Sequence, residues 1–227
     1  MASESVRRAL LRGLYAVTPD GGDTGTLLAR AGDCLAGGAA LLQYRAKNAA
    51  ADAALVQARA LARACRSSGA IFIVNDSVDL ALAAGADGVH LGRDDMDARS
   101  ARARFPAGII GVSCYDDPER ARAAAAAGAD YVAIGSVFAS ATKPGAPRAP
   151  LDRIAAARAA SGLPVAAIGG ITLENAPRLV AAGADMLAVV SALFDAADVR
   201  AQARAFARLF EPSSANGDDA KAQRRAV

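Results

Sequence analysis

The pentapeptide Ala-Ala-Gly-Ala-Asp occurs three times in this chain, at 83–87, 126–130 and 181–185. Each copy follows an Ala-rich stretch and leads into an apolar run: Gly88-Val89-His90-Leu91, Tyr131-Val132-Ala133-Ile134-Gly135 and Met186-Leu187-Ala188-Val189-Val190. A glycine after a helical stretch supplies a left-handed stop, and the small residues around it let helix and sheet approach closely. The runs that follow are too short for helices, and their unbroken apolar character suits strands covered on both faces. A chain that keeps repeating helix, glycine stop and buried strand is confined to a parallel sheet with helices packed outside it.

Five more runs complete the pattern: Leu14–Val17, Ala40–Leu42 leading into Gln43–Lys47, Ile71–Val74, Ile109–Val112 with Ser113-Cys114-Tyr115, and Pro164–Ile168. Between them the sequence predicts helices near 26–36, 51–67, 97–105, 151–161, 173–182 and 196–210, with a short one closed by Gly85. Another opens at Asp117-Pro118-Glu119, where cap, first-turn proline and first-turn acid coincide, and ends at Gly128. Eight strands alternating with helices define an α/β fold, a single (β/α)8 TIM barrel over residues 14–211. Residues 1–13 read as a lead-in and 212–227 as a disordered polar tail. An open doubly wound sheet is the alternative, disfavoured because no Gly-rich dinucleotide fingerprint follows the first strand. The repeat's acids, Asp87, Asp130 and Asp185, fall at strand N-termini, the face of a barrel that serves stability.

The C-terminal rim collects the chemistry. The strand at 71–74 stops at Asn75-Asp76, and the next one ends at Gly92 with Asp94-Asp95 just beyond. Parallel neighbours bring Asp76 and Asp95 to one rim, where two carboxylates repel unless a cation sits between them; a hard, oxygen-liganded ion is the simplest candidate. Alternation points Gln43, Arg45 and Lys47 the same way. The rim also receives Ser113, then Ser140, Thr142 and Lys143, then Gly169-Gly170, then Val190-Ser191. Backbone amides near Gly170 and Ser191 suit the phosphate cradle common after strands seven and eight of this fold. With Arg45 and Lys47 opposite, the mouth suits two phosphorylated ligands or one long one.

Composition narrows the partners. A net charge of +3 and 4% aromatic residues offer neither a basic surface nor stacking platforms for nucleic acid. Only three of the 26 basic residues are lysines, and two of those, Lys47 and Lys143, sit on the rim. The cysteines, Cys34, Cys65 and Cys114, are odd in number and without metal-ligand spacing, as expected in a reducing cytosol. No apolar leader or membrane span is evident, so a soluble, cytoplasmic protein is expected. The expected partners are small-molecule substrates, with neither nucleic acid nor membrane; a homo-oligomer is left open. His90, the single histidine, sits mid-strand and reads as a satisfied structural residue, which leaves no histidine for a nucleophile–base system.

These rim motifs resemble the thiamine-phosphate synthase family over about Leu14 to Leu193. The matching stretches are Gln43-Tyr44-Arg45-Ala46-Lys47, Asn75-Asp76, His90–Met96, Gly111-Val112-Ser113, Thr142-Lys143-Pro144, Ile168–Ile171 and Val190-Ser191. The resemblance implies condensation of 4-amino-5-hydroxymethyl-2-methylpyrimidine diphosphate with 4-methyl-5-(2-hydroxyethyl)thiazole phosphate. It implies that the run Gln43–Lys47, including Tyr44 and Ala46, together with Asn75, Ser113 and Lys143, holds the pyrimidine diphosphate. Within that set Arg45, Lys47, Ser113 and Lys143 are the implied catalytic groups. Asp76 and Asp95 are implied Mg2+ ligands, and Ser140, Ala141, Thr142, Gly170, Val190 and Ser191 hold the thiazole phosphate.

An electron-rich aminopyrimidine can expel diphosphate, so the protein has to neutralise the leaving group and align two ligands, with no general base. The chain departs from the family pattern at Ala46, Arg93 and Cys114, and Ser140 stands for a threonine. Two other readings are weighed. A thiazole tautomerase-like barrel depends on a histidine after strand five, where this chain has Cys114-Tyr115. A non-catalytic phosphate-binding barrel leaves the acid pair and the lysine of the strand-six loop unexplained.

Overall fold

In the computed structural model, eight parallel strands close into one barrel in chain order; the structure describes residues 10–139 and 148–211. The strands are β1 (Gly13–Val17), β2 (Leu41–Tyr44), β3 (Ile71–Asn75), β4 (Gly88–Leu91), β5 (Ile109–Tyr115), β6 (Tyr131–Gly135), β7 (Val165–Ile168) and β8 (Met186–Val189). Closure pairs β1 with β8, from Gly13 opposite Met186 to Ala16 opposite Val189. The helices are α1 (Thr24–Ala36), α2 (Ala51–Ser68), α3 (Val78–Ala84), α4 (Ala98–Arg104), α5 (Pro118–Ala126), α6 (Asp152–Ser161), α7 (Ala176–Ala181), α8 (Ser191–Phe194) and α9 (Val199–Ala207). Ser140, Ala141, Thr142 and Lys143 lie outside the described residues, as do residues 1–9 and the tail 212–227.

Strand alternation divides the core in two. On β1, Leu14 and Ala16 face the helices, while Tyr15 and Val17 face the barrel axis. Leu41, Ile73, Ile109 and Met186 fill the interior, joined by Leu11 from the stretch read as a lead-in. Ala133, Ala166 and Ala188 also point inward, and at these three positions a small side chain leaves space that opens to the C-terminal mouth. Gly111 makes room for Tyr131, whose ring a side chain at 111 would strike.

The repeated pentapeptide has a structural role at the opposite end. All three of its glycines, Gly85, Gly128 and Gly183, adopt positive φ. Each aspartate exchanges two hydrogen bonds with the start of the preceding strand. Asp87, Asp130 and Asp185 accept through a carboxylate oxygen from the N–H of Phe72, Ile110 and Val165, each at 2.8 Å, and donate backbone N–H to the same residues' carbonyls. Arg102 and Arg158 also pair with Asp130 and Asp185. Asp130 is the buried member of the three. Asp130→Ala, which orphans a backbone N–H and a guanidinium, is expected to cost about 2–3 kcal/mol in urea unfolding. The exposed Asp87 should cost about 1 kcal/mol on the same change.

Two helices differ from the expected bounds. The stretch near 173–182 is helical only over Ala176–Ala181, since Thr172 and Asn175 form a side-chain-bonded turn first. The closing helix starts at Val199 after the Asp198 cap, and the separate four-residue α8 precedes it.

Candidate active site

A cavity of about 330 Å3 opens at the C-terminal mouth. Its apolar wall includes Val17, Ala133, Ala166, Ile168 and Ala188; its polar wall includes Gln43, Arg45, Asn75, His90 and Ser113. Gly170, Val190 and Ser191 border it on the β7–β8 side. Gly169 and Gly170 have φ of 108° and 61°, and a side chain at Gly170 would collide with the Ala139 carbonyl. Only glycine permits the chain to turn so tightly there.

The run after β2 divides as the pleat requires. Gln43 and Arg45 reach the cavity, whereas Tyr44 points to the helix layer and donates its hydroxyl to Gln57 Oε1 at 2.6 Å. Ala46 packs on that same outer core. The phenol of Tyr44 and the methyl of Ala46 are thus not brought to the mouth. Lys47 stands at the rim, half exposed, with its Nζ 3.6 Å from Asp76.

Asp76 and Asp95 face one another beside Lys47. Burial and the neighbouring Asp95 carboxylate push Asp76 above the ordinary carboxylate range, and Lys47 acts in the opposite direction. Asp95 is oriented by accepting from the Gly92 N–H at 2.6 Å. Asp76 is held in a left-handed conformation, φ 65°, its N–H donating to the His90 carbonyl at 2.8 Å. Such a backbone is uncommon outside glycine and belongs to sites where the surroundings dictate it.

Several groups at the site were not legible as such. Asp20, in the loop after β1, pairs with Arg45 and accepts from the Lys47 N–H at 2.7 Å. Thr18 adds a second tie, accepting from the Arg45 N–H at 2.8 Å. Arg45 therefore pairs with Asp20 rather than with Asp76. An acid three residues past the first strand, opposite cations past the second, was the available signal. Tyr15 and Tyr131 meet inside the barrel, hydroxyl to hydroxyl, at 2.7 Å; burial drives both phenols well above their ordinary range. His90 is satisfied, as expected of a structural histidine, yet it also lines the cavity and bonds Ser113 at 2.9 Å. The guanidinium of Arg93 lies over the Tyr115 ring, 4.6 Å from its centroid.

The proton affinity of Asp76 gives a signed prediction. With its folded pKa raised, the folded chain holds a proton that the unfolded chain has already lost. Stability from this group is therefore full below the ordinary aspartate range and declines as pH rises through the raised value. Asp76→Asn should flatten that decline and raise the Tm at pH 7; an unchanged or lower Tm would contradict the repulsion.

Fold and site together define a (β/α)8 barrel of the enzyme kind, with its functional groups gathered at the C-terminal mouth. The profile of thiamine monophosphate synthase matches residues 14–193. The chain is 58% identical over 201 residues to thiamine-phosphate synthase of Chromobacterium violaceum, covering 88% of this chain and 97% of that one. It is 56% identical over 202 residues to the enzyme of the same name from Aromatoleum aromaticum, covering 88% and 97%. The solved thiamine phosphate pyrophosphorylase of Pyrococcus furiosus superposes with a TM-score of 0.81 at 35% identity, covering 91% and 98%. The chain belongs to the thiamine monophosphate synthase family.

Proposed function

We propose that this chain joins 4-amino-5-hydroxymethyl-2-methylpyrimidine diphosphate to 4-methyl-5-(2-hydroxyethyl)thiazole phosphate, acting as a thiamine-phosphate synthase. The observation that carries the reading is one cavity with Gln43, Arg45, Asn75 and Ser113 on its wall, and Lys47 with two facing acids at its rim. The bond from the pyrimidine's exocyclic carbon to the diphosphate oxygen breaks. The thiazole nitrogen then bonds to that carbon, releasing diphosphate.

Arg45 offers the leaving group a planar fork of donors, already oriented by Asp20, and Lys47 offers a mobile ammonium. The apolar wall excludes water from the electron-poor carbon while the two heterocycles align. In this reading Ser113 and Asn75 hold the pyrimidine diphosphate, and Gly170, Val190 and Ser191 hold the thiazole phosphate. Ser140, Ala141, Thr142 and Lys143 are assigned to the same two ligands.

The acid pair fits a divalent hard cation. The neighbouring Asp95 carboxylate makes Asp76 costlier to ionise, a cost that a bound cation would remove, and both side chains supply only oxygen. Among the described residues no cluster of three or more His, Cys, Asp or Glu side chains is present, so phosphate oxygens and water would complete the shell. Mg2+ held by Asp76 and Asp95 would supply charge neutralisation for the departing diphosphate.

On the same reading the chain is a cytoplasmic enzyme of small molecules. Among the described residues no helix is long and apolar enough to cross a membrane. The test is to mix both substrates with Mg2+ and assay thiamine phosphate and diphosphate, expected in equal amounts. Absence of both products would overturn the proposal.

A further inference from the structure

A continuous chain of hydrogen bonds crosses the barrel interior beneath the cavity. Gln43 Nε2 donates to the Tyr15 hydroxyl at 2.7 Å; that hydroxyl lies 2.7 Å from the Tyr131 hydroxyl. The Tyr131 hydroxyl lies 2.9 Å from His90 Nδ1, and His90 Nε2 lies 2.9 Å from Ser113 Oγ. Five strands contribute one residue each, and both ends, Gln43 and Ser113, line the cavity.

Each phenol has a single hydrogen to give, and both are fully buried. Because Tyr15 accepts from the Gln43 amide, its own hydrogen is satisfied only by Tyr131. Tyr131 then gives its hydrogen to His90 Nδ1, which must accept. The ring proton is left on Nε2, which donates to Ser113 Oγ. With Gln43 presenting Nε2 to Tyr15, any other order orphans a buried hydroxyl hydrogen, a cost native interiors avoid. We infer that this relay fixes His90 as the Nε2–H tautomer and turns the Ser113 hydroxyl into an obligatory donor towards a hydrogen-bond acceptor on the ligand. His90 and Tyr131 are thereby positioning residues. Turning the Gln43 amide over would reverse the whole chain and make Ser113 a donor to His90, with nothing left for the ligand. The identity of that ligand as the pyrimidine diphosphate rests on the function proposed above; the polarity of the relay does not.

The chain has one histidine, so 15N-histidine labelling of the full-length protein reports a single imidazole. At pH 7 its ring couplings are expected to be those of the Nε2–H tautomer. An Nδ1–H ring, or one protonated at both nitrogens, overturns the relay. That readout needs no substrate, so a protein without synthase activity would sink the functional reading and leave the relay to be judged by its spectrum. The kinetic arm uses Tyr131→Phe, which lets the ring proton move to Nδ1 and Nε2 accept from Ser113. It should raise the KM for the pyrimidine diphosphate by up to about tenfold, the scale of one neutral hydrogen bond, with kcat changed less. In the Ser113→Ala background the same change should add nothing, because both act through one hydroxyl. Independent, multiplying losses in the double variant would show that Tyr131 acts only on packing and would overturn the inference.

Discussion

Asp76→Ala and Asp95→Ala are each expected to lower turnover by roughly 10²–10³-fold, the scale of losing one preorganised charge contact at a developing anion. The expectation follows from geometry. Both acids sit at the ends of adjacent strands, each fixed by a backbone tie: the Asp76 N–H to His90, and the Asp95 carboxylate to the Gly92 N–H. Neither substitution touches the apolar core, so the folded fraction should remain high while Mg2+ dependence is lost. The Asp76→Asn variant sharpens the point. It removes the repulsion that burial and Asp95 impose on Asp76, so it should be more stable without metal and nearly inactive, a trade-off typical of functional acids. Rates within threefold of the parent in both alanine variants would remove the metal from the account; kcat measured across a Mg2+ titration decides this.

Arg45→Ala is expected to cost roughly 10²-fold in kcat/KM for the pyrimidine diphosphate, because a fully charged donor to the leaving group is lost. Arg45→Lys should recover only part of it, since an ammonium cannot reproduce the planar fork. Asp20 provides the control. It touches Arg45 and the Lys47 backbone, not the cavity, so Asp20→Ala should cost about tenfold through misplacement of both cations. Steady-state kinetics at saturating thiazole phosphate separate the three variants. Partial recovery in Arg45→Lys would support the fork, whereas full activity in Arg45→Ala would remove Arg45 from the diphosphate site.

The barrel was legible because its punctuation is local. Gly69 and Gly85 end helices in the left-handed conformation, Asp117-Pro118 opens one, and the apolar runs between them are strands. Alternation along β2 likewise sufficed to send Gln43 and Arg45 to the mouth, and the end of β3 with the turn after β4 sufficed to face Asp76 with Asp95. What local pattern cannot show is a partner far away in sequence. Tyr15 and Tyr131 bond across 116 residues, and Asp20 meets Arg45 across 25, so neither pair leaves a periodic trace. The four-residue α8 escaped for a related reason: one turn is too short to display a helical period, and Ser191 read simply as the residue after a strand.

In the proposed reaction the acid pair and the Arg45–Lys47 cations act on the same diphosphate. A crystal structure of the full-length protein with Mg2+, the pyrimidine diphosphate and a thiazole phosphate analogue tests it most directly. An oxygen-coordinated ion touching both Asp76 and Asp95 is expected, with its remaining ligands drawn from water and a diphosphate that Arg45 also contacts. A diphosphate bound away from Arg45, or a cation bound away from the two acids, would contradict it.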